Sequence, residues 1–291
     1  MEITKTQLLS EKICLVTGSS RGIGYETAAG LAGLGAHVII VSQNHERAKD
    51  AQHRITAEFG EDAARFYVAD LSVQAQVDQL TQNIIQDYSR LDVLINNVGG
   101  WFSKYQESAD GIEMTFALNH LSYFTLTGRL LPLLQKNSPA RIINVSSDAH
   151  RQAKGIQFED IQFQHKYRVF SAYAHSKLAN VLFTYELARR LKGTDLTINA
   201  LHPGFVKTQL YRNFGLMTPL VNLLADLFGK NAVEGAQTSI YLASSPEVAG
   251  ITGKYFSDCE PQDSSPASYD VSQAKRLWEL SEEMTGFTYL I

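Results

Sequence analysis

Short apolar runs alternate along the chain with longer stretches that repeat apolar residues at helical spacing. The apolar runs predict strands at residues 12–17, 36–41, 64–68, 92–96, 141–145 and 196–201. The stretches between them predict helices at about 22–34, 45–59, 73–88 and 111–135, and one through Tyr173 that ends near Leu191. This alternation is typical of crossover units, which build a parallel sheet with helices on both faces. We therefore predict an α/β fold, a doubly wound Rossmann-type sheet in a single domain over residues 1–291.

Composition narrows the classes of protein to which the chain can belong. Its 26 lysines and arginines stand against 30 acidic residues without any basic tract, which argues against a nucleic-acid partner. Residues 1–5 lack the charged-then-apolar order of a signal peptide, and no apolar stretch approaches the ~18 residues that span a bilayer. Cys14 lies inside a predicted strand, so we interpret it as a core residue rather than half of a disulfide. We expect a cytoplasmic protein without a membrane span.

A glycine-rich turn, Thr17-Gly18-Ser19-Ser20-Arg21-Gly22-Ile23-Gly24, joins the first predicted strand to the first predicted helix. Gly18 permits the tight reversal, Gly22 lets the backbone approach a pyrophosphate, and Gly24 lets helix and strand pack closely. Phosphates would lie at the helix N-terminus, where unpaired N–H groups and the helix dipole favour anions. An ordinary loop is the alternative, but the position between strand and helix favours a dinucleotide. The cofactor-binding residues predicted here are Gly18, Ser20, Arg21, Gly22, Ile23 and Gly24.

Tyr173 and Lys177 lie four residues apart in a predicted helix, so their side chains share one face. A free phenol ionises near pH ~10, which is too high for an acid or base at neutral pH. A neighbouring ammonium favours the phenolate and lowers the pKa of the phenol. The pair therefore indicates a proton donor for a hydride-transfer reaction, with two unrelated surface residues as the simpler alternative.

The glycine turn and the Tyr173-x-x-x-Lys177 pair together resemble the short-chain dehydrogenase/reductase family, whose other motifs follow in order over nearly the whole chain. Asp70-Leu71 follows the third strand, where members use the aspartate to contact adenine. Asn96-Asn97-Val98-Gly99 closes the fourth strand, with Val98 in place of the usual alanine. Pro203-Gly204-x-x-x-Thr208 resembles the segment that positions the nicotinamide. The resemblance implies further cofactor contacts from Asp70, Leu71, Asn97, Gly99, Tyr173, Lys177, Pro203, Gly204, Val206 and Thr208.

The resemblance also implies a catalytic set, Asn119, Ser147, Tyr173 and Lys177. Hydride transfer to a carbonyl leaves an alkoxide, to which Tyr173 would donate a proton; in the oxidation direction the same residue is the base. Ser147 would bond the same oxygen and favour its developing charge. Lys177 would also bond the nicotinamide ribose, and Asn119 would hold a water that relays protons. Two alternatives stay open: a reductase of an activated C=C bond, similar to protochlorophyllide reductases, and a non-catalytic NADP(H)-binding sensor.

Four segments are similar to the retinol-dehydrogenase branch of that family, namely Ala172-Tyr173-Ala174-His175-Ser176-Lys177-Leu178-Ala179-Asn180, Glu234-Gly235-Ala236-Gln237-Thr238, Tyr241-Leu242-Ala243-Ser244-Ser245-Pro246 and Leu277-Trp278-Glu279-Leu280-Ser281-Glu282. The long spacing from Ser147 to Tyr173 also matches that branch. Many animal members carry an N-terminal membrane anchor, which this sequence does not show. The resemblance therefore implies an alcohol–carbonyl oxidoreductase without assigning retinoid as its substrate.

The choice of cofactor depends on the residues after the second strand. NAD-binding members place an acidic side chain there, ~20 residues beyond the glycines, to accept hydrogen bonds from the ribose. This chain has Ser42-Gln43-Asn44 instead, with no carboxylate to repel a phosphate. Arg21, or Arg47 as a substitute, could pair with a 2′-phosphate through charge-assisted bonds. We predict NADP(H) in preference to NAD(H), although the related branch usually has arginine where this chain has Gln43.

Substrate recognition is predicted in the segments after Asn97 and after Thr208. Gly100-Trp101-Phe102 places aromatic rings beside the nicotinamide end. Apolar residues at 216–228 predict a lid, at about 209–230, over a hydrophobic aldehyde or ketone. A helix packed on the sheet, or a dimer contact, is the alternative for that segment.

The sequence also allows predictions about oligomeric state and metal binding. Members of the family often pair through the helices of Asn119 and Tyr173, so Phe124 and Leu182 are candidates for a homodimer contact, although both could equally face the sheet. The histidines are scattered and form no helical His-x-x-x-His pair, so no metal is predicted at His150, His175 or His202.

Overall fold

One sheet of eight strands runs through the residues that the computed structural model describes, which are 8–136, 139–205 and 230–291. The strands are β1 (Ile13–Thr17), β2 (His37–Ser42), β3 (Ala64–Val68), β4 (Val93–Asn96), β5 (Arg141–Val145), β6 (Thr197–His202), β7 (Tyr255–Ser257) and β8 (Glu260–Gln262). Their spatial order is β3-β2-β1-β4-β5-β6-β7-β8. All neighbours are parallel except β7 and β8, which pair antiparallel.

Helices cover both faces of the sheet. They are α1 (Gly22–Gly33), α2 (His45–Phe59), α3 (Gln74–Asp87), α4 (Met114–Phe116), α5 (Ser122–Gln135), α6 (Val169–Arg190), α7 (Ala232–Ser244) and α8 (Val271–Thr285). Successive residues of a strand point to opposite faces, so Leu15 packs in a cluster with residues of α3, α5 and α6. Its neighbour Val16 packs in a second cluster with residues of α1, α2 and α7. The predicted doubly wound α/β fold is thereby confirmed.

The strand order reverses between β1 and β4, which lie side by side with Leu15 opposite Leu94. From β1 the chain moves outward to β2 and β3, whereas from β4 it moves the other way to β5 and β6. In open α/β sheets, ligands bind beyond the carboxyl ends of the strands at such a reversal. The glycine turn follows β1, and Asn97 follows β4, so two predicted cofactor-binding segments meet at this point.

Most predicted elements are confirmed, with strand ends within one residue of their predicted positions. The helix predicted from residue 111 instead begins at Met114, because Glu113 caps it by accepting hydrogen bonds from the backbone nitrogens of Thr115 and Phe116, both at 2.8 Å. Gly111 has a φ of +72°, which no residue of a right-handed helix adopts. The sequence analysis did not predict β7, β8, α7 or α8.

The C-terminal helix α8 and the segment after it cover the outer faces of α5 and α6. Phe124 of α5 packs against Trp278 and Tyr289, with ring centroids 5.1 and 4.9 Å away. Tyr289 Oη also donates to the Phe124 carbonyl oxygen at 2.6 Å. Phe124 and Leu182 are 0% exposed, so neither side chain is available for the suggested homodimer contact while α8 is in place. A Cβ on Gly128 would approach the Phe287 ring within 2.2 Å, which explains a glycine in the middle of α5.

The expected single domain with its lid, and the expected absence of a membrane span, concern the whole chain and can be compared only with the residues that the structure describes. A single domain over 1–291 with a lid at about 209–230 stays a prediction, because residues 206–229 lie outside the described part. Within the described ranges, no helix has both the length and the apolar character required to cross a lipid bilayer.

Candidate active site

The glycine turn after β1 lets a ligand approach the backbone closely. Gly18 and Gly22 have φ values of +65° and +57°, a left-handed region in which a side chain is strained. A Cβ on Gly24 would lie 2.3 Å from the Gly18 carbonyl oxygen, so only glycine fits there. The first turn of α1 contains no acidic residue, and Arg21 gives it no side-chain cap. Its backbone N–H groups are therefore free of a side-chain cap at the place where the pyrophosphate of a dinucleotide is predicted to bind.

Hydroxyl groups that the sequence analysis did not single out hold this turn in place. Thr17 Oγ1 accepts from the backbone nitrogen of Asn97 at 2.9 Å, and Asn97 Nδ2 donates to the Thr17 carbonyl oxygen at 2.7 Å. Ser19 Oγ donates to the Val16 carbonyl oxygen at 2.5 Å and accepts from the Val41 nitrogen at 3.2 Å. These bonds join the carboxyl ends of β1, β2 and β4. The signal was present in the sequence as hydroxyl residues inside the glycine turn.

Asn119 braces the loop after β4 against α6. Its side chain is fully buried in a π-helical turn, Ala117–Leu121, between α4 and α5. Oδ1 accepts from the Gly100 nitrogen at 2.8 Å, and Nδ2 donates to the Gly100 carbonyl oxygen and to Ser176 Oγ, both at 2.9 Å. Both amide hydrogens are used, so a relay water at this side chain has only Oδ1 to bond.

The Lys177 ammonium lies near the Asn119 side chain, on the same side of Gly99. A Cβ on Gly99 would be 3.4 Å from both Asn119 Oδ1 and Lys177 Nζ, so a larger residue would crowd the two groups. Nζ donates to the Val145 carbonyl oxygen at 2.9 Å and lies 5.7 Å from the ring centroid of Tyr173. Burial lowers the pKa of Lys177 to about 7. A carbonyl oxygen and the rings of Tyr173 and Tyr123 compensate a buried charge only in part, which leaves the ammonium able to bind a phenolate or a ribose hydroxyl.

The elements that carry Tyr173 and Ser147 are tied together. Ser146 Oγ donates to the Lys177 carbonyl oxygen at 2.8 Å, which joins the end of β5 to the turn of α6 that holds the tyrosine–lysine pair. Ser147 Oγ accepts from the Ala149 nitrogen at 3.2 Å. Its own hydrogen then remains to be donated to another acceptor. Both Tyr173 and Ser147 are half-buried, so a small ligand can reach them.

The order of these groups along the chain agrees with a known sequence profile. The profile of short chain dehydrogenases matches residues 12–217, from the start of β1 to beyond β6. The protein belongs to the short-chain dehydrogenase/reductase family. This dehydrogenase is accordingly an NAD(P)-dependent oxidoreductase that acts on CH–OH groups and the corresponding carbonyls.

Individual relatives narrow the position within the family. The dehydrogenase is 44% identical to retinol dehydrogenase 14 from Homo sapiens, over 96% of this chain and 88% of that protein. It is 40% identical to retinol dehydrogenase 12 from Bos taurus, over 98% of this chain and 90% of that protein. The predicted membership in the retinol-dehydrogenase-like branch is confirmed.

Solved structures of other proteins resemble the dehydrogenase in fold. An uncharacterized protein from Mycobacterium paratuberculosis aligns with a TM-score of 0.79 and 29% identity, over 99% of this chain and 100% of that one. The Pseudomonas aeruginosa RhlG/NADP active-site complex aligns with a TM-score of 0.70 and 31% identity, over 88% of this chain and 97% of that one.

The remaining predicted cofactor contacts of the dehydrogenase are distributed over three places. Asp70 shapes the turn after β3, where Oδ1 accepts from the nitrogen and Oγ of Ser72 at 2.9 and 2.7 Å. Leu71 is buried in the core, so only its backbone can face a cofactor. Gly204, which follows Pro203 after β6, has a φ of +86°. Val206 and Thr208 lie outside the described residues.

The three histidines considered for metal binding have other partners in the dehydrogenase. His175 Nε2 accepts from the Gln157 nitrogen at 2.6 Å, and burial lowers the pKa of His175 to about 4. His202 Nε2 lies 3.8 Å from Asp148 Oδ2, and His150 bonds to the main chain of Ser147. Among the described residues, no group of three or more potential metal ligands is gathered.

Proposed function

We propose that the dehydrogenase interconverts a hydrophobic aldehyde or ketone and its alcohol with NADP(H), using Tyr173 as general acid and base. The observation that carries this proposal is the enclosed Lys177 ammonium, 3% exposed and 5.7 Å from the centre of the Tyr173 ring. An ammonium that has lost its water gains more from a phenolate than a solvated one does, and the phenolate gains equally from it. The geometry therefore supports a phenol that gives up its proton readily.

Each residue of the catalytic set then has a defined role. When bound, the reduced nicotinamide supplies the hydride. Tyr173 donates its proton to the carbonyl oxygen as that oxygen gains negative charge, and Ser147 donates a hydrogen bond to the same atom. Lys177 stabilises the phenolate that remains. Asn119 keeps the Gly100 backbone in place and offers Oδ1 to a water that can return a proton.

A conjugated unsaturated aldehyde distinguishes this proposal from its two alternatives in one assay. With NADPH and trans-2-decenal, we expect the allylic alcohol as the product, because the proton arrives at oxygen. Formation of the saturated aldehyde would contradict the proposal and support C=C reduction. NADPH binding without consumption, with this substrate and with a panel of aldehydes and ketones, would instead support a sensor. Gas chromatography identifies the product in the first two outcomes, and the fluorescence and absorbance of NADPH measure its binding and consumption in the third.

The preference for NADP(H) is supported by a groove beside the glycine turn. It has a volume of about 490 Å³ and lies between the start of α1 and the helix α2. Its lining includes three arginines and two acids, Arg21, Arg47, Arg54, Glu46 and Asp50, together with Ser20. Arg54 packs over the Tyr25 ring at 4.1 Å, which holds its guanidinium in place. The net positive lining favours a 2′-phosphate over a free hydroxyl.

The arginines give a prediction about cofactor choice. Arg21→Ala and Arg47→Ala should each raise the KM for NADPH by about 10- to 100-fold, since hydrogen bonds to charged groups contribute about 1.5–3 kcal/mol. The KM for NADH should change by less than about threefold. Lys49→Ala is the matched control, since Lys49 is an exposed cation of α2 outside the groove lining. Wild-type turnover with NADH equal to or faster than with NADPH, at equal concentration, would refute the preference.

A hydrophobic substrate is supported by the aromatic wall beside Tyr173. Trp101 is 8% exposed, and its ring packs edge-on against Tyr173, with centroids 5.6 Å apart at 72°. Tyr167 Oη donates to the Phe102 carbonyl oxygen at 2.7 Å, which fixes the loop that carries the wall. The retinol dehydrogenases to which this chain is similar act, by name, on a long apolar alcohol. The predicted lid at 209–230 would add to this wall but falls almost wholly outside the described residues.

Saturated aldehydes of increasing length test the aromatic wall through their kcat/KM values. We expect kcat/KM to rise from butanal to decanal, and a steep fall with length would refute a hydrophobic site. Trp101→Ala should lower kcat/KM for decanal by about tenfold, as expected for one lost apolar contact of roughly 1.5 kcal/mol. Phe170→Ala, at an aromatic residue that is 47% exposed, should leave it unchanged. A cytoplasmic location and a homodimer stay predictions.

A further inference from the structure

We propose that His150 is a positioning residue, whose imidazole holds the main chain of Ser147 so that the serine hydroxyl meets the reacting oxygen. The proposal rests on the role of Ser147 proposed above. His150 is 0% exposed and lies in the short 3₁₀ turn Asp148–Gln152, which begins directly after Ser147. It acts through Ser147 and has no part in the chemistry of hydride or proton transfer.

Both ring nitrogens of His150 are bonded to main-chain atoms, and this determines which one carries the hydrogen. Nε2 lies 2.9 Å from the backbone nitrogen of Ser265, which can only donate. Nε2 is therefore the acceptor, and the hydrogen of the neutral ring lies on Nδ1. Nδ1 in turn donates to the Ser147 carbonyl oxygen at 2.7 Å. Burial lowers the pKa of His150, in agreement with a neutral ring.

The hydrogen bond from His150 Nδ1 is one of three that hold Ser147 from the turn that follows it. The serine carbonyl oxygen also accepts from the His150 backbone nitrogen at 3.0 Å. On its other side, Ser147 Oγ accepts from the Ala149 nitrogen at 3.2 Å. The carbonyl and the hydroxyl are thus both held from the turn that follows. With its carbonyl and one lone pair fixed, the hydroxyl has only two directions left in which to donate its hydrogen.

The hydrogen bond at His150 Nε2 connects Ser147 and its turn to the helix of the tyrosine–lysine pair. Ser265 neighbours Ser264, whose Oγ is 2.7 Å from the Oη of Tyr185 on α6. Ser268 Oγ donates to the Ser265 carbonyl oxygen at 2.6 Å, which fixes the segment locally. The His150 ring therefore spans from Ser147 to a segment anchored on α6. Because Tyr173 and Lys177 belong to α6, the ring keeps the serine in register with the phenol.

Three substitutions separate positioning from simple structural support. In His150→Asn the amide nitrogen can take the place of Nδ1 and donate to Ser147, whereas in His150→Gln the amide oxygen can take the place of Nε2 and accept from Ser265. We expect kcat within about threefold of wild type for Asn, and a fall of about 10- to 100-fold for Gln, because a displacement of about 1 Å costs up to 10²-fold. The KM for NADPH should stay constant in both, since the cofactor contacts are elsewhere.

Ser265→Pro tests the other bond without touching the histidine. Ser265 has a φ of −66°, which proline adopts, and its hydroxyl has no hydrogen-bond partner. The substitution removes the N–H group that His150 accepts from and places the proline Cδ where that hydrogen was, so the imidazole is pushed away from Ser265. We expect kcat to fall by an amount between those of the two His150 variants, again at constant KM for NADPH.

The possible outcomes distinguish a failure of the His150 positioning role from a failure of the proposed function. Equal losses of kcat in His150→Asn and His150→Gln that follow a loss of thermal stability, or an unchanged kcat in folded His150→Gln, would overturn the positioning role. If neither His150 variant folds, an unchanged kcat in Ser265→Pro overturns it. Ser147→Ala serves as the reference: full activity in that variant would refute the proposed function itself, whereas a large loss there with no loss in the other variants refutes only the role of His150.

Discussion

Replacing Tyr173 with phenylalanine should lower kcat by about 10²- to 10⁴-fold, the range that a positioned general acid contributes, while the enzyme still binds NADPH. The substitution removes one hydroxyl and keeps the ring, so the edge-on contact with Trp101 at 5.6 Å remains. The Lys177 ammonium also keeps its hydrogen bond to the Val145 carbonyl oxygen. The loss should therefore appear in turnover rather than in folding or in cofactor affinity, measured by steady-state kinetics and by NADPH fluorescence.

Tyr123→Phe is the matched control for this prediction. Lys177 Nζ lies 5.8 Å from the Tyr123 ring centroid, almost as close as it lies to Tyr173. Tyr123 differs in being 1% exposed, and its hydroxyl donates to the Val98 carbonyl oxygen at 2.7 Å. Burial raises the pKa of Tyr123, which makes it a poor acid. We expect its removal to reduce stability while kcat changes by only a few-fold. The assignment fails if Tyr123→Phe is the inactive variant and Tyr173→Phe is not.

Lys177→Met should also lower kcat by about 10²-fold or more, because it removes the charge that stabilises the phenolate. The same change should alter stability in a pH-dependent way. An unfolded lysine titrates near ~10.4, whereas burial lowers the pKa of Lys177 to about 7. Between these values the unfolded chain holds the proton more tightly, so the free energy of unfolding rises as the pH increases from about 7 to about 10. Below pH 7 the folded protein bears the whole cost of a buried charge.

Methionine bears no such cost, so the stability of Lys177→Met relative to wild type should be greatest below pH 7 and should decrease towards pH 10. The upper bound of this change is roughly 5 kcal/mol, at 1.36 kcal/mol for each unit of pH between the two pKa values. Urea unfolding of the cofactor-free proteins at pH 6.5 and pH 9.5 measures it. Lys49→Met, at an exposed position of α2, should shift stability equally at both pH values. A relative stability of Lys177→Met that is constant or rises with pH would contradict the burial of the ammonium.

The sequence predicted those strands and helices that are long enough to show a pattern of apolar residues within their own length. The central strands are continuous apolar runs because both of their faces are covered, as the opposite packing of Leu15 and Val16 illustrates. Short elements carry no such pattern. The three residues of β7 and of β8 are too few to show a period, and β8 is formed mainly by pairing with β7.

Within the candidate site, motif spacing predicted groups that lie close together along the chain, such as Tyr173 and Lys177. It did not identify groups that act across long separations. His150 and Ser265 are 115 residues apart and meet only after the sheet is complete. Thr17 and Asn97 are likewise 80 residues apart. Phe124 was one of two candidates for a contact between subunits, but α8 covers it; helical spacing shows that a face is apolar and not which segment covers it.

The packing of α8 against α5 and α6 has a consequence for biosynthesis. Until residues 271–291 have been made, Phe124 and Phe183 lack the Trp278 and Tyr289 rings that cover them. A nascent chain on the ribosome would therefore expose this apolar surface to chaperones, and its Phe183 part lies on the helix that carries Tyr173 and Lys177. We expect the enzyme to become competent only after residues 271–291 have emerged from the ribosome.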